Sequence, residues 1–526
     1  MAVDEPGWRP AHNPWAIAMV VTLAAFMEVL DSTIVNVSLP HISGSLSVGT
    51  DESTWTLTSY LVANGIVLPL SGWLSATLGR KRFFLICVSA FTLFSLLCGL
   101  ATSLPELIVF RLLQGFFGGG LQPTQQSILL DSFPKEKRAA VFAVTAVAIV
   151  IAPVMGPTLG GYITDNFSWR WVFFLNVPVG LFVWFGSVAL LEDPPSARRQ
   201  GGVAPVDGIG IGLIALGLGC LQIVLDKGTT EDWFESPFIR GMTFLTVLGI
   251  AGTIGWLMTR RNPIVNLRLY RDRNFTLGNL LIFTMAGILY GSAVLLPQFA
   301  QLRLHYTSTW AGLILSPGAI ATMAMLPLVV RGLLPRVQTR LLIAIGFGLL
   351  GAGLIATGFN TTLDVDFPTL VTMRTLQTVG LAFLFVPISI VTFSTLPPED
   401  NAAGAALYAM ARNSGGSAGI SLVTAYVASR SQAQWEYLVG HLTSLEGGFN
   451  DALARLTQSV MNQGTVLASA ATQANGSLYQ SLLAQSSLLG YRDAFFWSGA
   501  LCVGGVVLAF MLKRTAVPSG PPMGGH

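Results

Sequence analysis

Charge is what this sequence has least of. Only 10% of its 526 residues are Asp, Glu, Lys or Arg, against about 25% in a soluble domain. Lysine occurs five times. So sparse a set cannot cover the surface of a soluble chain this long, which excludes the several soluble domains that length alone suggests. Disorder is excluded from the other direction, because 52% of the residues are hydrophobic and the mean hydropathy is +0.63. The net charge of +3 is too small to point to nucleic acid. Cysteine is also scarce. Cys87, Cys98, Cys220 and Cys502 each lie in an apolar stretch without CxxC spacing, so they read as small buried hydrophobes rather than disulfide or metal ligands. The five histidines are scattered, with no HExxH. No G-x-x-x-x-G-K-[ST] run offers an ATP site, and no nucleophile–base constellation stands out. The expectation is a protein that is not an enzyme and has no metal or cofactor, drawing any energy it needs from an ion gradient.

What the sequence has is long apolar runs. Fourteen stretches are apolar and close to the roughly 20 residues a membrane-spanning helix needs: 15–38, 55–75, 83–103, 107–130, 139–163, 171–191, 208–226, 238–258, 276–299, 309–330, 340–359, 368–393, 402–429 and 494–512. The expected fold class is an all-α polytopic membrane protein. β-barrel strands would be shorter and alternating. The first run is too long for a cleaved signal, and Glu28 and Asp31 interrupt it. The positive-inside rule sets the orientation. With the N-terminus inside, inner loops take Arg80, Lys81 and Arg82, then Lys135, Lys137 and Arg138, Arg260 and Arg261, and Arg268, Arg271 and Arg273. About 19 of the 29 basic residues then fall inside. Asp51, Glu52, Glu231, Asp232, Asp364 and Asp366 collect outside. Both termini are expected in the cytoplasm.

The chain also repeats itself. Arg111-x-x-Gln114 returns as Arg374-x-x-Gln377, Ser132-x-Pro134 as Thr395-x-Pro397, and Ala139-Ala140 as Ala402-Ala403. Leu39-Pro40 returns as Leu296-Pro297, and Leu68-Pro69-Leu70 as Leu326-Pro327-Leu328. Matching landmarks in two halves suggest a transporter with a midplane site between two bundles. The expected organisation is a tail (1–14), a six-helix bundle (15–191), a linker with two inserted spans (192–275), a second six-helix bundle (276–513) and a tail (514–526). Segment 430–493, rich in Gln, Ser and Ala with leucines at 438, 442, 445, 453 and 456, reads as amphipathic helix outside the membrane. It is either a contact surface for a partner or a solvated linker.

Chemistry concentrates in a few buried polar residues. Glu28 and Asp31 are three apart and share a helix face. A charge mid-span costs at least about 2.5–3.5 kcal/mol, so such residues persist where they line a cavity or pair. Reversible protonation suits them, with Asp31 the first candidate and Glu28 the second. A buried Arg111 stays charged and needs an acidic or polar partner. Gln114 stands beside it, and Arg374 and Gln377 hold the matching places. Arg412 is a further candidate. Pro153, Gly156, Pro157, Gly160 and Gly161 make span five a bent, closely packed helix that suits a gate, or simply tight packing. Gly72, Gly79, Arg80 and Lys81 form a short basic loop, read either as a conformational latch or as a lipid anchor. Phe26, Gln126, Tyr290, Gln298, Phe393 and Tyr408 are candidates for a cavity lining.

These motifs resemble the major facilitator superfamily. Arg111-x-x-Gln114-Gly115 is similar to its motif B. Gly156-Pro157-x-x-Gly160-Gly161 is similar to motif C, associated with antiporters. The run from Gly72 to Lys81 is similar to motif A, with Ala76 where an Asp is usual. Leu30 to Val37 resembles the first-helix motif of the fourteen-helix drug:proton antiporters, and Trp169 to Pro178, Leu221 to Gly228 and Asn262 to Val265 resemble the EmrB branch of that family. The resemblance implies two six-helix bundles plus two inserted helices, and a proton-driven efflux pump of the bacterial inner membrane. It also implies a periplasmic adaptor of the EmrA type, an outer-membrane channel of the TolC type, and hydrophobic toxic compounds as substrates. An importer or lipid exporter on the same fold, and a non-transporting sensor or scaffold, remain open alternatives that flux measurements separate.

Overall fold

The computed structural model describes residues 10–193, 207–260, 263–440, 447–462 and 467–513. Both tails, apart from residues 10–14, and most of the segment joining the first bundle to the inserted helices lie outside these, as do Leu442 and Leu445. Among the described residues there are helices and no strands. In chain order they are α1 (Pro14–Leu46), α2 (Thr50–Ser53), α3 (Trp55–Leu78), α4 (Arg80–Leu100), α5 (Leu104–Gly118), α6 (Leu121–Ser132), α7 (Lys135–Asn166), α8 (Trp171–Phe174) and α9 (Asn176–Leu190). Then come α10 (Gly208–Lys227), α11 (Pro237–Thr259), α12 (Arg273–Arg303), α13 (Ser308–Pro327), α14 (Thr339–Asn360), α15 (Phe367–Val379), α16 (Phe385–Phe393), α17 (Asn401–Gly440), α18 (Gly447–Met461) and α19 (Leu467–Phe510).

All fourteen apolar stretches are helical. Among the described residues, eleven helices are long and apolar enough to cross a membrane, and bent α7 makes twelve. The other two stretches depart for visible reasons. The fourth is divided into α5 and α6 around Gly119 and Gly120 and carries Arg111 and four glutamines. The thirteenth, α17, is diluted by Gly, Ser and Asn. The fourteen-span count is consistent with this arrangement. All four cysteines are free and buried.

The two halves pack alike. α1 lies along α7 and α3 along α5; correspondingly α12 lies along α17 and α13 along α15. Small residues make the first and third of these contacts possible. A Cβ on Gly156 would collide with the Thr33 side chain, and one on Gly160 would come within 2.8 Å of the Ile34 carbonyl. Gly415 and Gly419 do the same for α17, against the backbone at Phe283 and Gly287 of α12. α10 and α11 pack on each other where Gly217 meets Gly249. α10 also lies against α3 and α17.

Segment 430–493 holds the expected amphipathic helix, α18, which carries Leu453 and Leu456; the flanking helices α17 and α19 also run on into the segment, and α18 packs on α19. At 1.5 Å per residue α17 and α19 are about 60 and 66 Å long, twice the roughly 30 Å hydrocarbon core. Ala, Gln, Leu and Ser tolerate helix well, so nothing in the composition ends either one. The two rods are tied by the Arg430–Asp493 ion pair at 2.9 Å and by stacking of Tyr426 on Trp497, with ring centroids 5.5 Å apart.

Candidate functional site

Asp31 and Glu28 sit on one face of α1, a turn apart, yet each has its own set of partners. Asp31 is wholly buried. Arg111 Nη1 donates to its Oδ2 at 2.6 Å, while Gln114 Nε2 and Asn176 Nδ2 donate to Oδ1 at 3.1 and 2.6 Å. Arg111 is itself fixed from three sides. Its Nε donates to the Thr56 carbonyl at 3.1 Å, its Nη1 to Gln114 Oε1 at 2.8 Å, and its guanidinium lies 4.1 Å from the Tyr60 ring centroid. This is a buried ion pair in which Nε and Nη1 of Arg111 and both Asp31 oxygens are hydrogen-bonded, while Arg111 Nη2 has no partner among the described residues; such hydrogen bonding is what makes a buried pair tolerable.

Glu28 is held differently. Asn64 Nδ2 donates to Oε1 at 2.9 Å and Tyr60 Oη to the same oxygen at 3.3 Å, and Gln122 Nε2 donates to Oε2. All three donors are neutral. No Lys, Arg or His pairs with Glu28 within 4 Å among the described residues. Arg412 on α17 is also buried. Asn413, the next residue, donates from Nδ2 to Asn64 Oδ1 at 3.3 Å. A hydrogen-bonded path therefore runs from Glu28 through Asn64 into the second half. Tyr60 joins the two carboxylate sites, with its hydroxyl on Glu28 and its ring under Arg111.

Arg374 and Gln377 reproduce the first-half pair without the acid. Arg374 Nη1 donates to Gln377 Oε1 and to Ser292 Oγ, both at 3.0 Å, and Gln377 Nε2 donates to Thr357 Oγ1 at 2.6 Å. No carboxylate pairs with Arg374 among the described residues. It borders a small cavity of about 20 Å³ that Pro153 and Tyr290 also line. Helix α7 bends by 43° beside Pro153; the Pro157 side chain lies outside the described atoms. Gly161 is buried in the same turn, where its carbonyl accepts from Thr164 Oγ1 at 3.1 Å.

The basic loop between α3 and α4 sits on the side of the bundle where α1 begins. Gly79 has φ of +87°, a conformation that favours glycine. Lys81 N donates to Asp193 Oδ1 and its Nζ to the Val188 carbonyl, each at 2.8 Å. Arg80 pairs with Asp131 at the end of α6. Asn401 of α17 donates to the same Asp131 at 3.3 Å. Gly72 lies so close to α17 that a Cβ there would be 3.1 Å from the Ala402 carbonyl oxygen. Asp131 thus links Arg80 to Asn401, and the cluster ties the halves together on this side. Phe393 and Tyr408, read as cavity lining, are packed core residues here. Phe393 lies against Phe142 and Tyr408, and Tyr408 Oη shares a hydrogen bond with Ser389 at 2.9 Å. Phe26, Tyr290 and Gln298 are half-buried; Gln126 is buried.

Sequence reasoning does not single out Tyr60, Asn64, Gln122 or Asn413, and places Asn176 only within a longer run. The available signal was a neutral amide inside an apolar span. Gly415 and Gly419 had a sharper one, since they stand 259 residues after Gly156 and Gly160.

Comparison with known proteins agrees with this picture. Residues 21–420 match the model of the Major Facilitator Superfamily. The chain is 35% identical to the multidrug export protein EmrB of Haemophilus influenzae, over 97% of this chain and 96% of that one. It is 33% identical to the fatty acid resistance protein FarB of Neisseria gonorrhoeae, over the full length of both. Among solved structures, the proton:xylose symporter XylE superposes with a TM-score of 0.61 at 13% identity, covering 96% of this chain and 97% of XylE. That likeness concerns the fold. With the repeated helical halves, the buried charges between them and a family match over most of its length, the chain belongs to the major facilitator superfamily.

Proposed function

We propose that this chain is a carrier, not an enzyme, that exports hydrophobic toxic compounds in exchange for protons, and that it needs no cofactor. Its place is the bacterial inner membrane, with both termini in the cytoplasm and the basic loop at Arg80 on the cytoplasmic face. The relatives that are multidrug export proteins support the substrate class. The two halves, 15–191 and 276–513, act as bundles that alternate access, with α10 and α11 between them. The α17–α19 hairpin then projects into the periplasm, where it suits an adaptor of the EmrA type feeding a TolC-type channel.

The observation that carries the reading is the contrast on α1. Asp31 is clamped by a guanidinium, and losing its charge would strand Arg111. Among the described residues Glu28 is held only by neutral donors, and the side-chain amides of Asn64 and Gln122 can reorient to serve either the acid or the carboxylate. We assign the exchanged proton to Glu28 and a field-setting role to the Asp31–Arg111–Gln114 cluster. A charge crossing the membrane gains about 2.3 kcal/mol per 100 mV, enough for modest accumulation per proton. Inverted membrane vesicles with an imposed pH gradient test this, using cationic, neutral and anionic hydrophobic compounds. Wild type should move a compound and release protons. Glu28→Gln should abolish gradient-driven uptake, and Asp31→Asn should weaken it. Gradient-driven uptake by Glu28→Gln at the wild-type rate overturns the assignment.

One observation favours a second reading of the substrate. Among the described residues Arg374 is buried, has no acid partner and borders a cavity. That space admits about one water, so an anionic headgroup would reach Arg374 only once the surrounding helices move apart; one full-length relative is a fatty acid resistance protein. Preference for anionic compounds in the same panel selects that reading.

A further inference from the structure

By the repeat, α10 and α11 belong to neither half, but the way they are held assigns them to one. They form a single body. A Cβ on Gly249 would stand 2.4 Å from Gly217 N, so the two backbones touch there. At the inner end both carboxylate oxygens of Asp207 accept from Trp256 Nε1, at 3.0 and 2.8 Å, and the Arg260 guanidinium lies 4.3 Å from the Trp256 ring centroid.

On the outer side that body is fastened to the first half. Lys227, the last residue of α10, is 4% exposed. Its Nζ donates to Thr54 Oγ1, just before α3, and lies 5.1 Å from the centroid of the Trp55 ring. Thr58 Oγ1 donates to the carboxylate of Asp226. Two turns further in, a Cβ on Gly219 would come within 3.3 Å of the Ile66 side chain. The second half is met differently. The hydrogen bond to it is neutral, from Gln222 Nε2 to Ser417 Oγ of α17 at 3.1 Å. Beside that bond, α10 and α11 stand off from α12 and α17 across an apolar gap of about 500 Å³. Hydrogen bonds to charged groups are roughly twice as strong as neutral ones. A buried ammonium is costly to strip of its partners, and a gap forfeits side-chain contacts. Each effect makes the seam with the second half the weaker one.

Resting on the reading that the two halves alternate access, we infer that α10 and α11 travel with the first half as one rigid body. The carrier then divides unequally, with both inserted spans on the side of α3. Their seam with α12 and α17 is the sliding surface. As the second half swings, the Gln222–Ser417 bond breaks and the gap changes volume, while the Lys227 and Asp226 contacts to the α3 end persist.

The test is distance measurement between spin labels on cysteine pairs of the full-length protein in lipid nanodiscs, at acid and at neutral pH. The four native cysteines are buried and stay unlabelled. The labelled sites are exposed residues at the outer ends: Ser45 of α1, Ser429 of α17 and Arg240 of α11. The Ser45–Ser429 pair reports the alternation itself and should show two populations. Ser45–Arg240 should keep a single distance, and Ser429–Arg240 should shift together with Ser45–Ser429. A fixed Ser429–Arg240 distance beside a shifting Ser45–Arg240 one overturns the inference, and so does a shift in both. A Ser45–Ser429 distance that never changes defeats the alternation and the inference with it. A short, reducible thiol crosslinker supplies the functional arm in inverted vesicles. Joining Thr58→Cys to Asp226→Cys should leave uptake at the rate of the same protein uncrosslinked. Joining Gln222→Cys to Ser417→Cys should abolish uptake until the link is reduced. Uptake lost in the first or kept in the second overturns the inference. If the uncrosslinked proteins move no compound, the export reading fails, and the distances still decide where α10 and α11 belong.

Discussion

The two halves place the same arginine and glutamine on corresponding helices, yet only one of them supplies an acid. In the first half Arg111 meets Asp31 at 2.6 Å. In the second, Arg374 meets a serine hydroxyl and the Gln377 amide at 3.0 Å. By the repeat offset that carries Leu39-Pro40 to Leu296-Pro297, the partners of Glu28 and Asp31 are Met285 and Ile288. The two halves thus share an architecture, and the acids stand on α1 alone. A buried arginine can persist on hydrogen bonds to neutral groups, but exchange of a proton needs a carboxyl group. The comparison therefore separates what the fold requires, the arginine–glutamine clamp between neighbouring helices, from what one half adds to it.

The sharpest way to break that comparison is to strip each arginine of its partners. Asp31→Ala leaves Arg111 buried without a counter-charge and should cost about 3–5 kcal/mol, read as a lower thermal unfolding midpoint of the purified protein. Removing both, in Asp31→Ala with Arg111→Leu, should recover most of the loss. Arg374→Met strands no opposite charge and should stay within about 1 kcal/mol of wild type. Equal destabilisation by Asp31→Ala and Arg374→Met would mean that the halves are not electrostatically different. A gain-of-charge variant sharpens the same point. Ser292→Asp places a carboxylate against Arg374, and a hydrogen bond to a charged group is worth about 1.5–3 kcal/mol. The unfolding midpoint should rise, and transport should slow as the second half stiffens. The smallest effect is expected where the halves touch. Asn413→Ala removes one neutral hydrogen bond to Asn64, about 1 kcal/mol. Vesicle uptake should fall by about fivefold, with the unfolding midpoint nearly unchanged.

How much of this could be read from the sequence depended on contrast. Glu28 and Asp31 stand out because an acid in an apolar run has few innocent explanations. Arg111 and Gln114 stand out because they recur 263 residues later as Arg374 and Gln377. The cysteines follow from burial alone. Asn64, Gln122 and Asn176 do not stand out, since a neutral polar residue in a helix is often satisfied by its own backbone. Thr92 bonds to Val88 in this way, and Thr357 to Gly353. Whether a side chain turns inward to a carboxylate or back on its own helix is settled by packing between distant segments. Asp131 as the partner of Arg80 is hidden for the same reason. The length of α17 and α19 was hidden by hydropathy, which reports where a helix leaves the lipid and not where it stops.

That length has a mechanical consequence. Between Asn413, beside the carboxylates, and Gly440, the last described residue of α17, the rod extends about 40 Å. It has no described break, and Arg430 braces it to α19. A rod pivoting near Asn413 magnifies small rotations: a tilt of about 10° displaces its tip by about 7 Å at that radius. Such a shaft is a lever arm, whose far end carries in magnified form whatever tilt its packed base undergoes.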